Sequence, residues 1–343
     1  MQPSEAGDPL NRARSRTGTP WDRNGRAVAA LAFLLACVMP LDGRAADAYP
    51  DRLVRMVLAT PAGTASDLAA RILAEGLERE FGQRVIVDNR PGADGVIAVG
   101  QVTAAPADGH TLLFALGSQI TVNPSLFAAL PYDPQRDLVP VSLVSRQVTF
   151  IGVNATVPVS TIREFVEYTQ ARRGTVSYAA GSSTFMLAGE SFKQRTGADM
   201  LYIPYNGSAA AVAALVGGIV QACVGTARDA IAQVRSGRIR VLAVSGSQRL
   251  PQLPDVPSFA EAGLEDDVPV WVAVYAPAGT PKAVVEKLNG AIVRVLSQPP
   301  VRERFAGFGD LVVASAPEAL AAVAAQDAAR IDALVRRIGL SKR

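Results

Sequence analysis

Segments with the pattern of buried β-strands alternate with segments of helical periodicity through most of the chain, and this alternation restricts the fold more than any other feature. Residues 53–59 form an apolar run typical of a buried strand, and residues 66–81 carry apolar side chains on one helical face. Gly82 ends that helix, and residues 85–87 predict the next strand. Strand–helix–strand alternation favours parallel β-sheets with crossover helices, so the sequence predicts the α/β class.

The alternation continues towards the carboxyl terminus, and the length of 343 residues suggests two domains. Further strands are predicted at residues 111–116, 148–153, 176–179, 200–203, 220–224, 239–244 and 270–276. Further helices are predicted at residues 97–105, 161–172, 184–196, 208–216, 231–235, 282–296 and 317–338. The second half of the chain therefore repeats the α/β pattern of the first.

The amino terminus has the pattern of a secretory signal peptide. Arginines within residues 23–26 precede an apolar run at residues 27–41, which is shorter than the roughly 20 residues of a membrane span. Ala46-Asp47-Ala48 then gives a small-x-small cleavage pattern, so we expect the mature chain to begin near Tyr49 in the periplasm. An alternative is a lipoprotein signal, in which Leu34-Leu35-Ala36-Cys37 would place a lipid anchor on Cys37.

The charge pattern gives no sign of a nucleic-acid partner. Lysine and arginine number 34 against 31 acidic residues, and no run of five basic residues occurs. Nucleic-acid binding relies on clustered positive charge, so that function is not predicted.

The sequence also lacks the residues of common catalytic and metal sites. His110 is the single histidine, and Cys37 and Cys223 are the two cysteines, without a CxxC motif. P-loop, GxGxxG, GxSxG and HExxH motifs are absent. His110 lies in a turn before a strand and is expected at the surface, whereas Cys223 is expected to be a small buried residue. We therefore predict a protein that is not an enzyme and that needs no cofactor or metal.

Two loops that join a strand to a helix are candidate ligand sites, at residues 60–67 and 180–184. Ligands of open α/β sheets bind at the carboxyl ends of strands, where helix N-termini favour anions. Facing each other, these small, hydroxyl-rich loops could hold a carboxylate without a dedicated arginine. The alternative is that both are tight turns with Ser/Thr caps. Asp67 fits a favourable charge at a helix start better than a ligand contact, and Arg228 is either a partner for a distal carboxylate or a solvated helix start.

Many short motifs, in order, resemble the Bug family, the extracytoplasmic solute receptors of tripartite tricarboxylate transporters. The resemblance covers residues 49–339. Its marks include Pro61-Ala62-Gly63, Val87-Asp88-Asn89-Arg90-Pro91-Gly92-Ala93, Asp108-Gly109-His110-Thr111, Leu130-Pro131-Tyr132-Asp133-Pro134, Leu187-Ala188-Gly189-Glu190, Leu253-Pro254-Asp255-Val256-Pro257 and Ala276-Pro277-Ala278-Gly279-Thr280-Pro281.

The resemblance implies a periplasmic-binding-protein-like fold of type II, a Venus flytrap of two α/β lobes with a ligand cleft between them. We place the two crossings near Val153 and Trp271. Residues 1–48 are then the signal peptide, residues 49–152 with 272–343 form lobe 1, and residues 153–271 form lobe 2. Trp271 is expected to pack rather than to contact ligand.

The implied function is the capture of a small carboxylate or related solute, by a monomer, for the membrane permease subunits of a tripartite tricarboxylate-type transporter. An alternative is a ligand-sensing receptor for a membrane two-component system, which would have the same fold. The sequence does not separate the two.

Loop position and resemblance together define the candidate ligand-binding residues. They are Thr60, Pro61, Ala62, Gly63, Thr64, Ser66, Asp67, Ser118, Gly181, Ser182, Ser183, Met186, Tyr205, Asn206, Thr226 and Arg228. Met186 stands where the family usually has histidine, and Asn206 where it often has lysine. Both departures remove polar or positive groups, so we expect a ligand that is less charged or more apolar than a tricarboxylate.

Overall fold

The computed structural model describes residues 49–265 and 268–342. The predicted signal peptide, with Cys37, lies outside these residues. Within the described ranges, no helix combines the length and the apolar character that crossing a membrane requires.

Strands and helices alternate along the chain, as the sequence predicts. The strands are β1 (Val54–Leu58), β2 (Val85–Asn89), β3 (Thr111–Leu116), β4 (Leu138–Gln147), β5 (Thr149–Asn154), β6 (Ser177–Ala180), β7 (Leu201–Pro204), β8 (Ala222–Thr226), β9 (Ile239–Val244), β10 (Val270–Pro277) and β11 (Asp310–Val312). The helices are α1 (Ala65–Phe81), α2 (Val96–Thr103), α3 (Asn123–Leu126), α4 (Pro134–Asp137), α5 (Ile162–Gln170), α6 (Ser183–Thr196), α7 (Ser208–Val216), α8 (Ala227–Arg235), α9 (Lys282–Ser297), α10 (Pro299–Gly307) and α11 (Pro317–Arg337). A 3-10 turn (Ala93–Gly95) precedes α2, and a π-helical turn (Ser118–Val122) follows β3.

The strands form two sheets. The first has the order β11–β4–β10–β3–β1–β2, and the second has the order β7–β6–β8–β5–β9. We call each sheet with its helices the first and the second lobe. β1 pairs in parallel with β2 and β3, and β6 pairs in parallel with β7 and β8. The two lobes with mixed α/β structure are those of the predicted fold class.

Both sheets are mixed, which corrects the prediction of parallel sheets. β10 runs antiparallel to β3 and β4, and β5 runs antiparallel to β8 and β9. The physical reason lies in the connections, since parallel neighbours need a crossover within one sheet. β5 enters the second sheet directly from β4 of the first, and β10 returns from the second sheet to the first.

The change of sheet falls between Gln147 and Thr149, because β5 pairs wholly within the second sheet. From the sequence, this crossing was expected a few residues later, near Val153. The return lies between Val244 and Val270, so Trp271 is the second residue of the returning strand β10.

Each lobe is organised around buried apolar side chains. In the first lobe, α1 and α9 approach closely, because a Cβ on Gly76 would lie 2.2 Å from a methyl group of Val295. Trp271 is fully buried, and its Nε1 donates a hydrogen bond to Asp327 Oδ2 on α11 at 2.9 Å. The expected packing role of Trp271 is thereby confirmed. Cys223 is also fully buried, as predicted.

The expected surface position of His110 is wrong, because only 8% of the residue is exposed. Its ring packs edge-on against Tyr49, with 5.0 Å between ring centroids, and its backbone N–H donates to Asp108 Oδ1 at 2.9 Å. Tyr49 donates its hydroxyl to the Gly109 carbonyl at 2.7 Å. The residue that covers His110 is therefore distant in sequence, so the local turn pattern gave no sign of it.

The short strand β11 buries the carboxyl group of Asp310, of which 5% is exposed. Ser145 Oγ and Gln147 Nε2 donate hydrogen bonds to Asp310 Oδ2 at 3.3 and 3.4 Å. Burial raises the pKa of Asp310 to about 6, although these two donors and the nearby Arg228 act to lower it. The first lobe thus contains a carboxyl group that is costly to ionise.

Candidate functional site

A cleft with a volume of about 540 Å³ lies where strand ends of the two lobes meet, and this size suits a small ligand. Its walls are the loops that follow β1, β2 and β3 in the first lobe and β6 and β7 in the second, with parts of β3 and β7 themselves. The lining residues are Ala59, Thr60, Pro61, Pro91, Gly92, Ala93, Asp94, Gly95, Leu116, Ser118, Gln119, Gly181, Ser182, Ser183, Tyr202, Pro204, Tyr205, Asn206 and Gly207.

All five of those strands present their carboxyl ends to the cleft, and α1, α2, α6 and α7 begin after the loops that line it. The first turn of a helix leaves backbone N–H groups without partners inside the helix and carries a partial positive charge. An anion in the cleft can therefore be held by main-chain groups. No lysine or arginine is among the described lining residues.

Asp67 stabilises the loop at residues 60–67 through hydrogen bonds to its carboxylate. Its carboxylate accepts hydrogen bonds from the Gly63 N–H at 2.8 Å, from Arg71 Nε at 3.0 Å and from Asn89 Nδ2 at 2.9 Å. Burial acts to raise the pKa of Asp67, but these donors outweigh it and lower the pKa below its usual value. Asp67 therefore stabilises the loop and the start of α1, and it is not among the cleft-lining residues.

Only the first part of this loop lines the cleft, through Thr60 and Pro61. Thr64 caps α1, since its Oγ1 accepts a hydrogen bond from the Asp67 N–H at 3.3 Å and donates one to the Pro61 carbonyl at 3.0 Å. The remaining candidates from this loop are not among the residues that line the cleft. They are Ala62, Gly63, Thr64, Ser66 and Asp67.

In the second lobe, two lining loops touch through their backbones. The Gly207 N–H donates to the Gly181 carbonyl at 3.0 Å, and a Cβ on Gly181 would lie 2.1 Å from the Gly207 carbonyl carbon. Only glycine at position 181 allows this approach. It brings the predicted residues Tyr205 and Asn206 beside the start of α6.

Ser182 and Ser183 lie at the start of α6. Ser182 is the N-cap residue, and its Oγ accepts a hydrogen bond from the Phe185 N–H at 3.4 Å. Ser183 is 4% exposed, and its Oγ has no hydrogen-bond partner within the described residues. Buried hydroxyl groups are normally paired, so an orphan hydroxyl at the cleft wall is suited to a ligand or an ordered water.

The loop after β2 lines the cleft in an unusual conformation. Gly92, Ala93, Asp94 and Gly95 all have positive φ angles, of 127°, 47°, 50° and 90°. Positive φ is uncommon outside glycine, and such strained positions cluster at functional sites. This loop was not among the candidate sites predicted from the sequence, although its position after a predicted strand was the available signal.

Several other lining residues were missed. Tyr202 brings an aromatic ring to the second-lobe wall, in addition to that of the predicted Tyr205, and Leu116 adds an apolar side chain from β3. Of the predicted residues, the structure brings together Thr60, Pro61, Ser118, Gly181, Ser182, Ser183, Tyr205 and Asn206. The lining residues that were not predicted are Ala59, Pro91, Gly92, Ala93, Asp94, Gly95, Leu116, Gln119, Tyr202, Pro204 and Gly207.

Three second-lobe candidates are not in the cleft wall. Met186 packs partly buried against apolar cores. Thr226 donates its hydroxyl to Asp229 Oδ2 at 2.6 Å. The guanidinium carbon of Arg228 lies 4.1 Å from the centre of the Phe308 ring, and Nη1 donates to the Ala65 carbonyl at 3.3 Å. Arg228 therefore connects the second lobe to the first.

The described part of the chain contains no cluster of side chains suited to binding a metal ion. No group of three or more histidine, cysteine, aspartate or glutamate side chains there is arranged to hold a metal ion.

Residues 69–340 match the family described as tripartite tricarboxylate transporter family receptor. Protein BugT of Bordetella pertussis is 36% identical over 299 residues, which cover 86% of this chain and 91% of BugT. The structure of the periplasmic binding protein BugD is similar, with 32% identity, a TM-score of 0.80, and coverage of 86% of this chain and 100% of BugD.

A second similar structure is that of R. palustris Rpa4515 with adipate, with 29% identity, a TM-score of 0.82, and coverage of 86% of this chain and 100% of that protein. The family of these proteins comprises solute-binding receptors and includes periplasmic binding proteins. The matched region spans most of the chain and both lobes, and this protein therefore belongs to the family of tripartite tricarboxylate transporter receptors.

Proposed function

We propose that this protein is a periplasmic receptor that captures a small carboxylate in the cleft and delivers it to the membrane permease subunits of a tripartite tricarboxylate-type transporter. The observation that carries the proposal is that helix N-termini meet at a cleft of about 540 Å³, together with the Ser183 hydroxyl, which has no hydrogen-bond partner among the described residues. Backbone N–H groups at helix starts are a general means of binding anions.

The family supports the same ligand class. The similar protein Rpa4515 was solved with adipate, a dicarboxylate. The contacts proposed here are made by the starts of α6 and α7 in the second lobe and by Thr60, Pro61 and the loop after β2 in the first. Capture between two lobes removes the ligand from water, which strengthens hydrogen bonds to a carboxylate.

The proposal includes two further statements, that the protein is exported to the periplasm and that it acts in transport. The signal-peptide pattern at residues 1–48 and the periplasmic location of the relative BugD both support export. We expect the mature receptor to act as a monomer that the permease subunits recognise with ligand bound.

A thermal-shift screen tests the proposed function. The exported protein is heated with mono-, di- and tricarboxylates, with the matching neutral amides as controls. A carboxylate at a hundredfold excess over its Kd is expected to stabilise the folded state by about 2.7 kcal/mol, seen as a rise of several degrees in Tm. A broad screen in which no carboxylate raises the Tm would count against carboxylate capture.

The Ser183→Ala substitution is expected to weaken binding of the stabilising carboxylate about tenfold. A hydrogen bond to a charged group contributes about 1.5–3 kcal/mol, and this hydroxyl has no protein partner to lose among the described residues. The free energy of unfolding without ligand should consequently stay unchanged or rise slightly. Calorimetry and denaturant unfolding measure the two effects.

Ser236→Ala is the matched control, because Ser236 lies at the end of α8 outside the cleft wall. It should leave affinity unchanged. Equal affinities for wild type and Ser183→Ala would show that the Ser183 hydroxyl does not contact the ligand.

A further inference from the structure

Gln119 supplies the cleft wall with an amide group whose orientation is fixed. It lines the cleft from the π-helical turn after β3, and 1% of the residue is exposed. Its Oε1 accepts a hydrogen bond from the Leu116 N–H at 3.0 Å. Because a backbone N–H can bond only to the oxygen of the amide, this contact determines which side of the group carries the N–H donors.

The loop before α2 and the ring of Tyr132 hold Gln119 in this position. A Cβ on Gly95 would lie 2.5 Å from Gln119 Nε2 and 2.7 Å from its Cγ, so the side chain occupies the space that a Cβ there would need. The Gln119 carbonyl accepts a hydrogen bond from the hydroxyl of the buried Tyr132 at 2.8 Å. Protein contacts therefore fix both the backbone and the amide, which lowers the entropy cost of a contact with a ligand.

The amino group of the Gln119 side chain is available to a ligand. Nε2 makes no hydrogen bond within residues 49–265 and 268–342, in contrast to Oε1. An amide N–H that a ligand shields from water costs free energy unless the ligand supplies an acceptor. The ligand carboxylate is assigned above to the start of α6 and the Ser183 hydroxyl, in the second lobe. Gln119 lies in the first-lobe wall, so it is placed to meet another part of the ligand.

We propose that Gln119 selects carboxylates that carry a second oxygen acceptor, and that its Nε2 donates a hydrogen bond to that oxygen. This inference rests on the proposed function and names the substrate class of the same site. A carbonyl, hydroxyl or second carboxylate group provides the acceptor, whereas an alkyl chain does not. An alkyl chain in the same place would shield the Nε2 donors without bonding to them, and sites of this kind discriminate against such analogues.

The test compares ligands that differ by one oxygen acceptor. The keto acid 4-oxopentanoate is paired with pentanoate, and 5-oxohexanoate with hexanoate, so that charge and chain length are equal within a pair. Glutarate and adipate are compared with the same two alkyl acids. Calorimetry gives the Kd of each ligand for wild type, Gln119→Glu and Gln119→Met, and circular dichroism confirms that each variant folds.

The two substitutions remove the donor in different ways. Gln119→Glu keeps an oxygen for the Leu116 N–H and a similar shape, but it places an acceptor where Nε2 was. Because a keto acid and its alkyl counterpart carry the same charge, repulsion by the new carboxylate cancels in the ratio of their Kd values. Gln119→Met removes the amide without adding a charge. Gln135→Glu is the charge-matched control, because Gln135 is exposed on α4 outside the cleft wall.

Wild type is expected to bind at least one keto acid or dicarboxylate about tenfold more tightly than the alkyl acid of the same length. Gln119→Met should reduce that ratio about tenfold, and Gln119→Glu should reduce the ratio of a keto acid by a similar factor. Gln135→Glu should leave the ratios unchanged. Ser183→Ala should weaken both members of a pair equally, because the proposed contact of Ser183 is with the carboxylate that they share.

An alkyl acid that binds as tightly as its oxygenated counterparts overturns the inference, as does a ratio that Gln119→Met leaves unchanged. If Gln119→Met does not fold, the ratio of the keto acids in Gln119→Glu decides in the same way. Any other carboxylate that the screen identifies should carry a second oxygen acceptor and bind about tenfold more weakly to Gln119→Met, and an unchanged Kd overturns the inference. If no carboxylate binds, the proposed function fails, and this inference fails with it.

Discussion

Replacing Gly181 with alanine is expected to weaken carboxylate binding by more than tenfold. The added Cβ would lie 2.1 Å from the carbonyl carbon and 2.3 Å from the carbonyl oxygen of Gly207, and 2.3 Å from the nitrogen of Ser208. All three are backbone atoms, so no side chain can rotate out of the way. The start of α7 must move away from the start of α6, which separates the two second-lobe loops of the cleft.

The cost in stability should be about 1–3 kcal/mol, as for other overpacked interiors, so the variant should still fold. Calorimetry with the best carboxylate of the screen measures the affinity, and circular dichroism confirms folding. Gly100→Ala is the control, because Gly100 lies on α2 with no atom within 4 Å of an added Cβ. It should bind normally and gain about 0.5–1 kcal/mol, since alanine favours helix over glycine. Normal binding by Gly181→Ala would show that the contact of the two loops is not needed to hold the ligand.

Replacing Asp310 with asparagine is expected to stabilise the protein at neutral pH by up to about 3 kcal/mol. The ordinary pKa of 3.8 is raised to about 6 in the folded state. A two-unit shift corresponds to nearly 3 kcal/mol. Asparagine offers an oxygen to Ser145 and Gln147 without a charge that must be desolvated.

The pH dependence has a definite sign. Between pH 4 and 6 the folded state binds a proton at Asp310 that the unfolded state has released, so this group makes the free energy of unfolding fall as the pH rises. Above pH 6 the full destabilisation is present, and below about pH 4 it vanishes. The difference between wild type and Asp310→Asn should follow this course in denaturant unfolding from pH 4 to 8.

Asp332→Asn serves as the control for Asp310→Asn, because Asp332 lies at the surface beside Arg336. It should change stability little at any pH, since exposed ion pairs contribute about 0–1 kcal/mol. A constant difference between wild type and Asp310→Asn from pH 4 to 8 would show that Asp310 does not titrate in this range.

The regular elements with strong local patterns could be predicted from sequence. The strand at residues 111–116 coincides with β3, and the helix at residues 66–81 differs from α1 by one residue. β4 was missed although it lies inside the first sheet. Pro140 interrupts its apolar pattern and is tolerated beside an irregularity in the pairing with β10. Short-range patterns could not reveal that arrangement.

The parts of the candidate site that lie between the end of a strand and the start of a helix could be predicted from the sequence. Thr60, Pro61 and the residues at 181–183 were found in this way. The loop containing Asp94 was missed because its contacts are not local: the Asp94 carbonyl accepts a hydrogen bond from Asn123, which is distant in sequence. Arg228 was predicted to be either a partner for a distal carboxylate or a solvated residue at a helix start, but its guanidinium group packs against the ring of Phe308 in the other lobe.

Alanine, glycine and proline make up nine of the nineteen residues of the cleft wall. An alanine scan would pass over most of these positions, because there is little or no side chain to remove. The same property bears on divergence after gene duplication. A copy of this receptor could change its preferred solute through substitution of side chains such as Asp94, Tyr202 and Asn206. The main-chain groups proposed to bind the carboxylate would remain the same.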